Sequence, residues 1–310
     1  MMTSGKFNFS ISESINLSVS SSSNTSNSST ADHPSLIGWS TTYFSLCVIA
    51  ACTNSALLIA VIRDRNSTLA TRILIGNLAI AALLLSVIFF PGAAITILVR
   101  TYVSTQSPNF CAIFSAILFT VQASICWAEV CIAVNRLVAI CFPYHYNLHW
   151  KGQKSSILLI AGAWTISVII GALVGTGTGA KIVSVADGNC GMRAMNNFGQ
   201  FVIFSVNIIP YGIASLCSVV IFATVWCRAR SAKVGPRNDQ RERNIKRRLV
   251  VARAITASII WCLICTIPLM IITTKFPYLI ARDPALARWL KLLYVSEYAV
   301  NPVSFSFDYV

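Results

Sequence analysis

The stretch that decides the fold is residues 108–141, PNFCAIFSAILFTVQASICWAEVCIAVNRLVAIC. It is predominantly apolar and longer than the roughly 20 residues with which a helix crosses the hydrocarbon core of a bilayer. Similar apolar segments occur at 37–63, 69–99, 155–176, 199–227, 247–274 and 286–308. Only 11% of the chain is charged, whereas soluble globular proteins carry about 25% charged residues. The sequence therefore predicts an all-α membrane protein, a bundle of seven transmembrane helices.

Basic residues decide the predicted orientation. Most of the 24 lysines and arginines lie in or beside the segments that join helices 1 to 2, 3 to 4 and 5 to 6. Because an excess of Lys and Arg marks cytoplasmic loops, the N-terminus is expected to be extracellular. Much of the net charge of +14 then faces the anionic lipids of the inner leaflet and a cytoplasmic partner. Nucleic acid is not expected as a partner, since the basic loops alternate with spanning segments.

Residues 1–36 form a polar, Ser/Asn-rich segment that predicts a disordered extracellular tail, ahead of a membrane domain at 37–310. Four N-x-S/T acceptor sequences for glycosylation occur in this tail, at Asn8, Asn16, Asn24 and Asn27. They agree with an extracellular location.

Two of the eleven cysteines lie outside the apolar interiors of the segments. Cys111 begins the third helix, and Cys190 lies in the polar stretch between helices 4 and 5. Both are predicted to face the oxidising side of the membrane, so we expect them to form a disulfide. The sequence shows no metal-binding pattern of cysteines and histidines, no phosphate-binding loop and no nucleophile–base set. It therefore predicts no cofactor and no enzymatic activity.

One landmark in each helix carries a family resemblance. The landmarks are Asn54, Asn77-Leu78-Ala79, Cys111 at 25 residues before Arg136, Pro143-Tyr144, Trp164, Pro210, Pro268 and Asn301-Pro302. In this order and spacing, residues 37–308 resemble the rhodopsin-like (class A) G-protein-coupled receptors, as a divergent member. The resemblance implies a plasma-membrane receptor that converts binding of an extracellular ligand into activation of a heterotrimeric G protein.

The chain departs from the family in its buried polar core. Ala82 stands where the resemblance implies a helix-2 aspartate that helps to hold a sodium ion. Glu129 in helix 3 and Glu297 in helix 7 are the candidate replacements. A charged side chain at this depth costs at least about 2.5 kcal/mol, so each acid needs an interior partner. The predicted polar or ion site comprises Asn54, Asn77, Glu129, Glu297 and Asn301. The two acids could bind a cation, share a proton, or each be protonated and hydrogen-bonded.

The residues that the resemblance assigns to switching are also altered. The family's Asp-Arg-Tyr appears as Asn135-Arg136-Leu137, and the base of helix 6 carries Arg248 where some members have an acid. With both usual acidic restraints on the arginine replaced, we expect appreciable basal signalling. The tryptophan of the helix-6 motif is replaced in Cys265-Thr266-Ile267-Pro268. The helix-7 motif ends in Phe305 instead of tyrosine.

The pocket positions implied by the resemblance exclude two ligand classes. Leu118 replaces the helix-3 aspartate of amine receptors, and Val295 replaces the lysine that binds retinal. The candidate pocket residues are Arg100, Leu118, Phe119, Gln122 and Lys291. The basic members favour an acidic ligand. Equally, their long side chains could reach towards the membrane interface.

The sequence is also compatible with two other functions. A scaffold or decoy with degraded switches would explain the altered motifs. A transporter using Glu129 and Glu297 would predict two structurally related halves, and the sequence shows no such symmetry. The sequence ends at Val310, soon after helix 7, so the family's short eighth helix and tail are either absent from the protein or cut from this sequence.

Overall fold

The computed structural model describes residues 33–64, 67–103, 108–184, 190–206, 208–232, 256–273 and 276–306. Within these ranges, seven helical elements form a bundle. They are α1 (His33–Arg63), α2 (Leu69–Leu84, a π-helical turn at Leu85–Phe89, then Phe90–Val103), α3 (Pro108–Cys141), α4 (Gln153–Gly175), α5 (Asn197–Val206 and Ile208–Ala232), α6 (Thr256–Thr273) and α7 (Pro284–Ser306). The predicted seven-helix architecture is confirmed. The predicted glycosylation sites lie outside the described residues, as do residues 233–255.

The short elements lie at the ends of the bundle. A turn of helix at Pro143–His145 continues into a π-helical turn at Tyr146–Trp150 between α3 and α4, and Pro277–Arg282 forms a short helix before α7. By length and composition, six of the described helices are able to span a membrane. α7 has 23 residues but is more polar than the others, because it carries Arg288, Lys291 and Glu297.

Helix α3 is central in the bundle. It packs against α2, α4 and α5, while α1 packs against α2 and α7. At the outer end of α1, the Trp39 side chain is almost fully buried, and its indole nitrogen donates a hydrogen bond of 2.8 Å to the carbonyl oxygen of Arg288. Large apolar side chains such as Leu158 and Leu216 are exposed on the outside, as expected for a surface in contact with lipid.

The π-helical turn in α2 has a local cause in the sequence. Pro91 lies two residues after its end, and a proline ring lacks an N–H group and collides with the carbonyl four residues earlier. That carbonyl belongs to Val87, inside the π-helical turn. The wider turn accommodates the ring without ending the helix.

A β-hairpin covers the outer ends of the helices. β1 (Ala180–Ser184) pairs antiparallel with β2 (Cys190–Ala194). Gly177 and Gly179 lead into it with φ of 74° and 80°, a region that L side chains rarely adopt. The predicted disulfide is confirmed: Cys190 is bonded to Cys111 and thereby fixes β2 to the start of α3.

Candidate functional site

The carboxylate of Glu297 lies at the centre of a buried polar network. Its side chain is only 1% exposed. One carboxylate oxygen accepts a hydrogen bond of 2.5 Å from the Tyr211 hydroxyl on α5, and the other accepts one of 2.9 Å from Thr266 on α6. Thr266 holds the tryptophan position of the helix-6 motif. The small polar residue at this position is therefore explained by the acid on α7, which needs a donor.

A second acid joins the network through Asn301. The amide nitrogen of Asn301 donates a hydrogen bond of 2.7 Å to Oε1 of Glu129 on α3. The amide oxygen accepts hydrogen bonds from Ser258 and, at 3.8 Å, from the thiol of Cys262, both on α6. The asparagine therefore uses its donor towards α3 and its acceptor towards α6. Together with Glu297, it connects four helices.

The polar face of α6 follows from a simple spacing. Ser258, Cys262 and Thr266 are each four residues apart, so they lie on one side of the helix. All three are buried and hydrogen-bonded to residues of α7. Neither this face nor Tyr211 is among the site residues predicted from the sequence. The four-residue spacing of polar side chains in an otherwise apolar helix was the signal for it.

The two acids and a thiol lie close enough to share a ligand. One oxygen each of Glu129 and Glu297 and the sulfur of Cys262 all lie within 4.8 Å of one another. If both acids were ionised, two unit charges at this distance would repel by roughly 3.5 kcal/mol at an effective dielectric constant of about 20. Hydrogen-bond donors surround the acids, but a neutralising cation or proton would remove this repulsion.

A small cavity of about 10 Å³ borders the network between α1, α2, α3 and α7. This volume is close to the minimum that holds a single water molecule. Ala82, the residue in place of the family's helix-2 aspartate, lines it, and so do Glu129, Asn301 and Pro302. The acid next to this cavity is thus supplied by α3.

The two asparagines of the first helices have separate roles. The Asn54 amide, on α1, donates to the carbonyl oxygen of Tyr298 at 3.0 Å and lines the cavity. The Asn77 oxygen, on α2, accepts a hydrogen bond of 3.1 Å from the indole of Trp164 on α4. Among the predicted polar-site residues, Asn54, Glu129 and Asn301 therefore line one cavity, Glu297 joins them through the network, and Asn77 connects to α4.

The candidate switch residues of α3 and α7 lie near the inner ends of these helices, whereas Pro268 lies in the outer half of α6. Asn135 is buried and Arg136 is half-buried. Leu137 packs against an apolar cluster that includes Ile140 and Ile221. Pro268 lies within α6, two residues after Thr266, and Pro302 is buried next to Asn301. The side chain of Phe305 and the residue Arg248 lie outside the described part of the chain, so the expected basal signalling stays a prediction.

The candidate ligand residues are distributed over three helices. Phe119 packs on α3 beneath the hairpin, in a cluster that includes Ile182 and Met192. Gln122 is buried one turn further along α3. The other candidates, Arg100, Leu118 and Lys291, are half-buried. An acidic ligand therefore stays a prediction.

Comparison with known proteins agrees with this architecture. Residues 53–305 match the family described as 7 transmembrane receptor (rhodopsin family). The chain is 25% identical over 214 residues to the D(3) dopamine receptor of Mus musculus, an alignment that covers 65% of this chain and 45% of that protein. It is 24% identical over 272 residues to the allatostatin-A receptor of Bombyx mori, covering 84% of this chain and 73% of that protein. The match thus spans less than half the length of the dopamine receptor.

The family match extends over most of the chain, from the second half of α1 to the end of α7. It also contains the buried network, the Cys111–Cys190 disulfide and the inner end of α3. The chain therefore belongs to the rhodopsin family of seven-transmembrane receptors.

Proposed function

We propose that the protein is a G-protein-coupled receptor of the plasma membrane, which converts binding of an extracellular ligand into activation of a heterotrimeric G protein. The observation that carries the proposal, within this family, is the buried network that joins α3, α5, α6 and α7. Glu129, in this network, lies two helical turns from Arg136 on α3, the residue that the family resemblance assigns to G-protein contact.

The network supports coupling between the two ends of the bundle. Tyr211 on α5 and Thr266 on α6 are bonded to the same carboxylate of Glu297. A ligand that changes the relative positions of these helices would have to rearrange both hydrogen bonds. Because buried polar groups tolerate few partly bonded arrangements, such a network favours a small number of discrete states. Discrete states that a ligand stabilises differently are the physical basis of signalling.

The comparisons leave the ligand class open. One relative is named for dopamine and the other for allatostatin-A. Leu118, where amine receptors carry an aspartate, argues against an amine ligand for this chain. The basic residues Arg100 and Lys291 favour an acidic ligand. A screen of carboxylated compounds on wild type and on Lys291→Gln would test this expectation.

The decisive experiment replaces Arg136. Wild type and Arg136→Ala are compared in G-protein activation assays across the main Gα classes, with surface expression matched. Basal or ligand-driven activation in wild type that Arg136→Ala abolishes would support the proposal. Arg282→Ala is the matched control, because Arg282 is exposed in the short helix before α7 and should not affect coupling.

Two outcomes would count against receptor function. Activation that is equal in Arg136→Ala and wild type would show that signalling does not use this contact. If wild type activates no Gα class with any compound of the screen, a non-signalling scaffold with the same fold becomes the better explanation.

A further inference from the structure

We propose that Glu129, Cys262 and Glu297 form a binding site for a divalent transition-metal ion of the Zn²⁺ type, which ties α3, α6 and α7 together. Binding of the ion does not depend on signalling, whereas the effect of the ion on signalling rests on the proposed function.

The donor set favours this class of ion. It combines two carboxylates with a thiol, and their ligand atoms lie within 4.8 Å of one another. Thiolate is a soft ligand that selects Zn²⁺-like ions, whereas Na⁺, Mg²⁺ and Ca²⁺ prefer sites made only of oxygen. A sodium site would have no use for Cys262. The sulfur therefore distinguishes this proposal from a relocated sodium site.

The geometry is compatible with a tetrahedral ion. Zn²⁺ binds sulfur at about 2.3 Å and carboxylate oxygen at about 2.0–2.2 Å, which places neighbouring ligand atoms roughly 3.5 Å apart. The three donors are on three different helices. Side-chain rotations that bring the ligand atoms closer together by about 1 Å would close the site. Of the three donors, Glu129 also lines the cavity of about 10 Å³, whose volume is close to the minimum for one water molecule. A water there that reached the ion would serve as a fourth ligand.

The neighbouring residues would hold the ligands in place once the ion is bound. Tyr211 and Thr266 donate hydrogen bonds to Glu297, and Asn301 donates one to Glu129. Such outer contacts orient the ligands of metal sites and increase their affinity. Binding would release three protons, one from each acid and one from the thiol, because metal ligands have to be deprotonated. The two positive charges of the ion would neutralise two of the three negative charges that result, and the hydrogen bonds from Tyr211 and Thr266 to Glu297 and from Asn301 to Glu129 would stabilise the third.

Metal binding would affect the motion of α6. Cys262 lies six residues before Pro268, in the half of α6 that leads to the cytoplasmic side. An ion bound to this thiol and to carboxylates of α3 and α7 would hold that half against its neighbours. The family resemblance implies that activation moves this half of α6 outward, so, given the proposed function, Zn²⁺ should oppose that movement and lower receptor activity.

The test measures metal binding to the purified full-length receptor in detergent, after treatment with a chelator. We expect Zn²⁺ to raise Tm by a few degrees, because an ion that binds only the folded state stabilises it. Mg²⁺ or Na⁺ at the same concentration should not raise Tm. Co²⁺ should give the intense near-ultraviolet absorption of cobalt–thiolate coordination. Both signals should be lost in Cys262→Ser, which keeps the size of the side chain. In Glu297→Gln, the affinity for the metal that both signals report should fall by about tenfold or more.

Cys217→Ser is the matched control, since Cys217 is also a buried free cysteine. It lies on α5, in a separate apolar cluster with Ala133 and Ala214. It should keep both signals.

A Zn²⁺ shift that persists in Cys262→Ser, or is lost in Cys217→Ser, would overturn the proposal. So would a shift produced by Na⁺ and not by Zn²⁺, which would indicate an oxygen-only site. The absence of any shift in wild type would show that the acids are only protonated and hydrogen-bonded. None of these measurements depends on G-protein activation, so the proposed function is tested separately.

Discussion

The amide nitrogen of Asn301 lies 2.7 Å from a carboxylate oxygen of Glu129, and this hydrogen bond connects α7 to α3 in the interior of the bundle. Asn301 belongs to the Asn-Pro pair of α7. The next residue, Pro302, has no backbone N–H group to donate. The contact places an acid where the bundle has a small cavity, and it explains how the chain retains a polar core with alanine at position 82.

Replacing Glu129 should reveal the value of this contact. Glu129→Ala leaves the donor of Asn301 without its acceptor, and an unsatisfied buried group costs about 1–3 kcal/mol. Glu129→Gln keeps an oxygen acceptor and removes the charge, so its stability should equal or exceed that of wild type. Thermal unfolding of the purified proteins in a metal-free detergent buffer measures both. Equal Tm values for Glu129→Ala and Glu129→Gln would show that the hydrogen bond contributes little.

The two donors to Glu297 should act as a unit. Tyr211→Phe and Thr266→Val each remove one hydroxyl with little change in volume, and each should cost about 1–3 kcal/mol because the acceptor is a buried acid. The double variant should deviate from additivity by at least about 0.5 kcal/mol, since both donors serve one carboxylate. Tyr278→Phe is the matched control, because Tyr278 is 62% exposed and should be neutral. Strictly additive losses would mean that the two donors stabilise the protein independently.

Close packing of α4 against Thr120 of α3 requires the glycine at position 171. A Cβ atom at Gly171 would lie 1.8 Å from Oγ1 of Thr120 and 3.1 Å from its Cβ, so the threonine would have to move. Moving it would break the hydrogen bond from Thr120 to the carbonyl of Ala116. Overpacking of this kind costs about 1–3 kcal/mol, which exceeds the 0.5–1 kcal/mol, roughly, that alanine gains over glycine in a helix. Gly171→Ala should therefore lower Tm.

Gly162 provides the control on the same helix. A Cβ atom there would meet nothing within 4 Å, and the residue is exposed on the lipid-facing side. Gly162→Ala should consequently leave Tm unchanged or raise it. If Gly171→Ala were equally harmless, α3 and α4 would be less closely packed at this point than the structure indicates.

The sequence predicted the helices well because long apolar segments have a single favourable arrangement in a bilayer, in which every backbone group is bonded within its own helix. The predicted third segment, 108–141, coincides with α3, and the fourth, 155–176, differs from α4 by two residues or fewer at each end. The disulfide was predictable too, since Cys111 and Cys190 were the two cysteines expected on the outer side outside apolar interiors.

The partners in the buried network could not be predicted in the same way. Glu129 and Glu297 were recognisable, because a buried acid in a spanning segment is costly and has to be satisfied. The choice of Tyr211 and Thr266 as donors to Glu297 depends on how α5 and α6 are rotated about their axes, which apolar segments alone do not determine. The hairpin was missed as well, because its two strands are short and their pairing depends on contacts with the helices beneath it.

The disulfide should contribute strongly to folding because it closes a long loop. Cys111 and Cys190 are 79 residues apart, and a bridge over such a distance typically adds about 2–4 kcal/mol, chiefly by restricting the unfolded chain. Here it also fixes β2 over the outer end of α3. Cys190→Ser should therefore reduce the amount of receptor at the cell surface and lower Tm of the protein that remains. Cys52→Ser is the matched control, because Cys52 is a free, exposed cysteine on α1. Surface staining of an N-terminal epitope tag, compared with total expression, measures the effect. If Cys190→Ser and Cys52→Ser reached the surface in equal amounts with equal Tm, then packing of the hairpin against α3 and α4 would be sufficient to hold the outer face without the covalent bond.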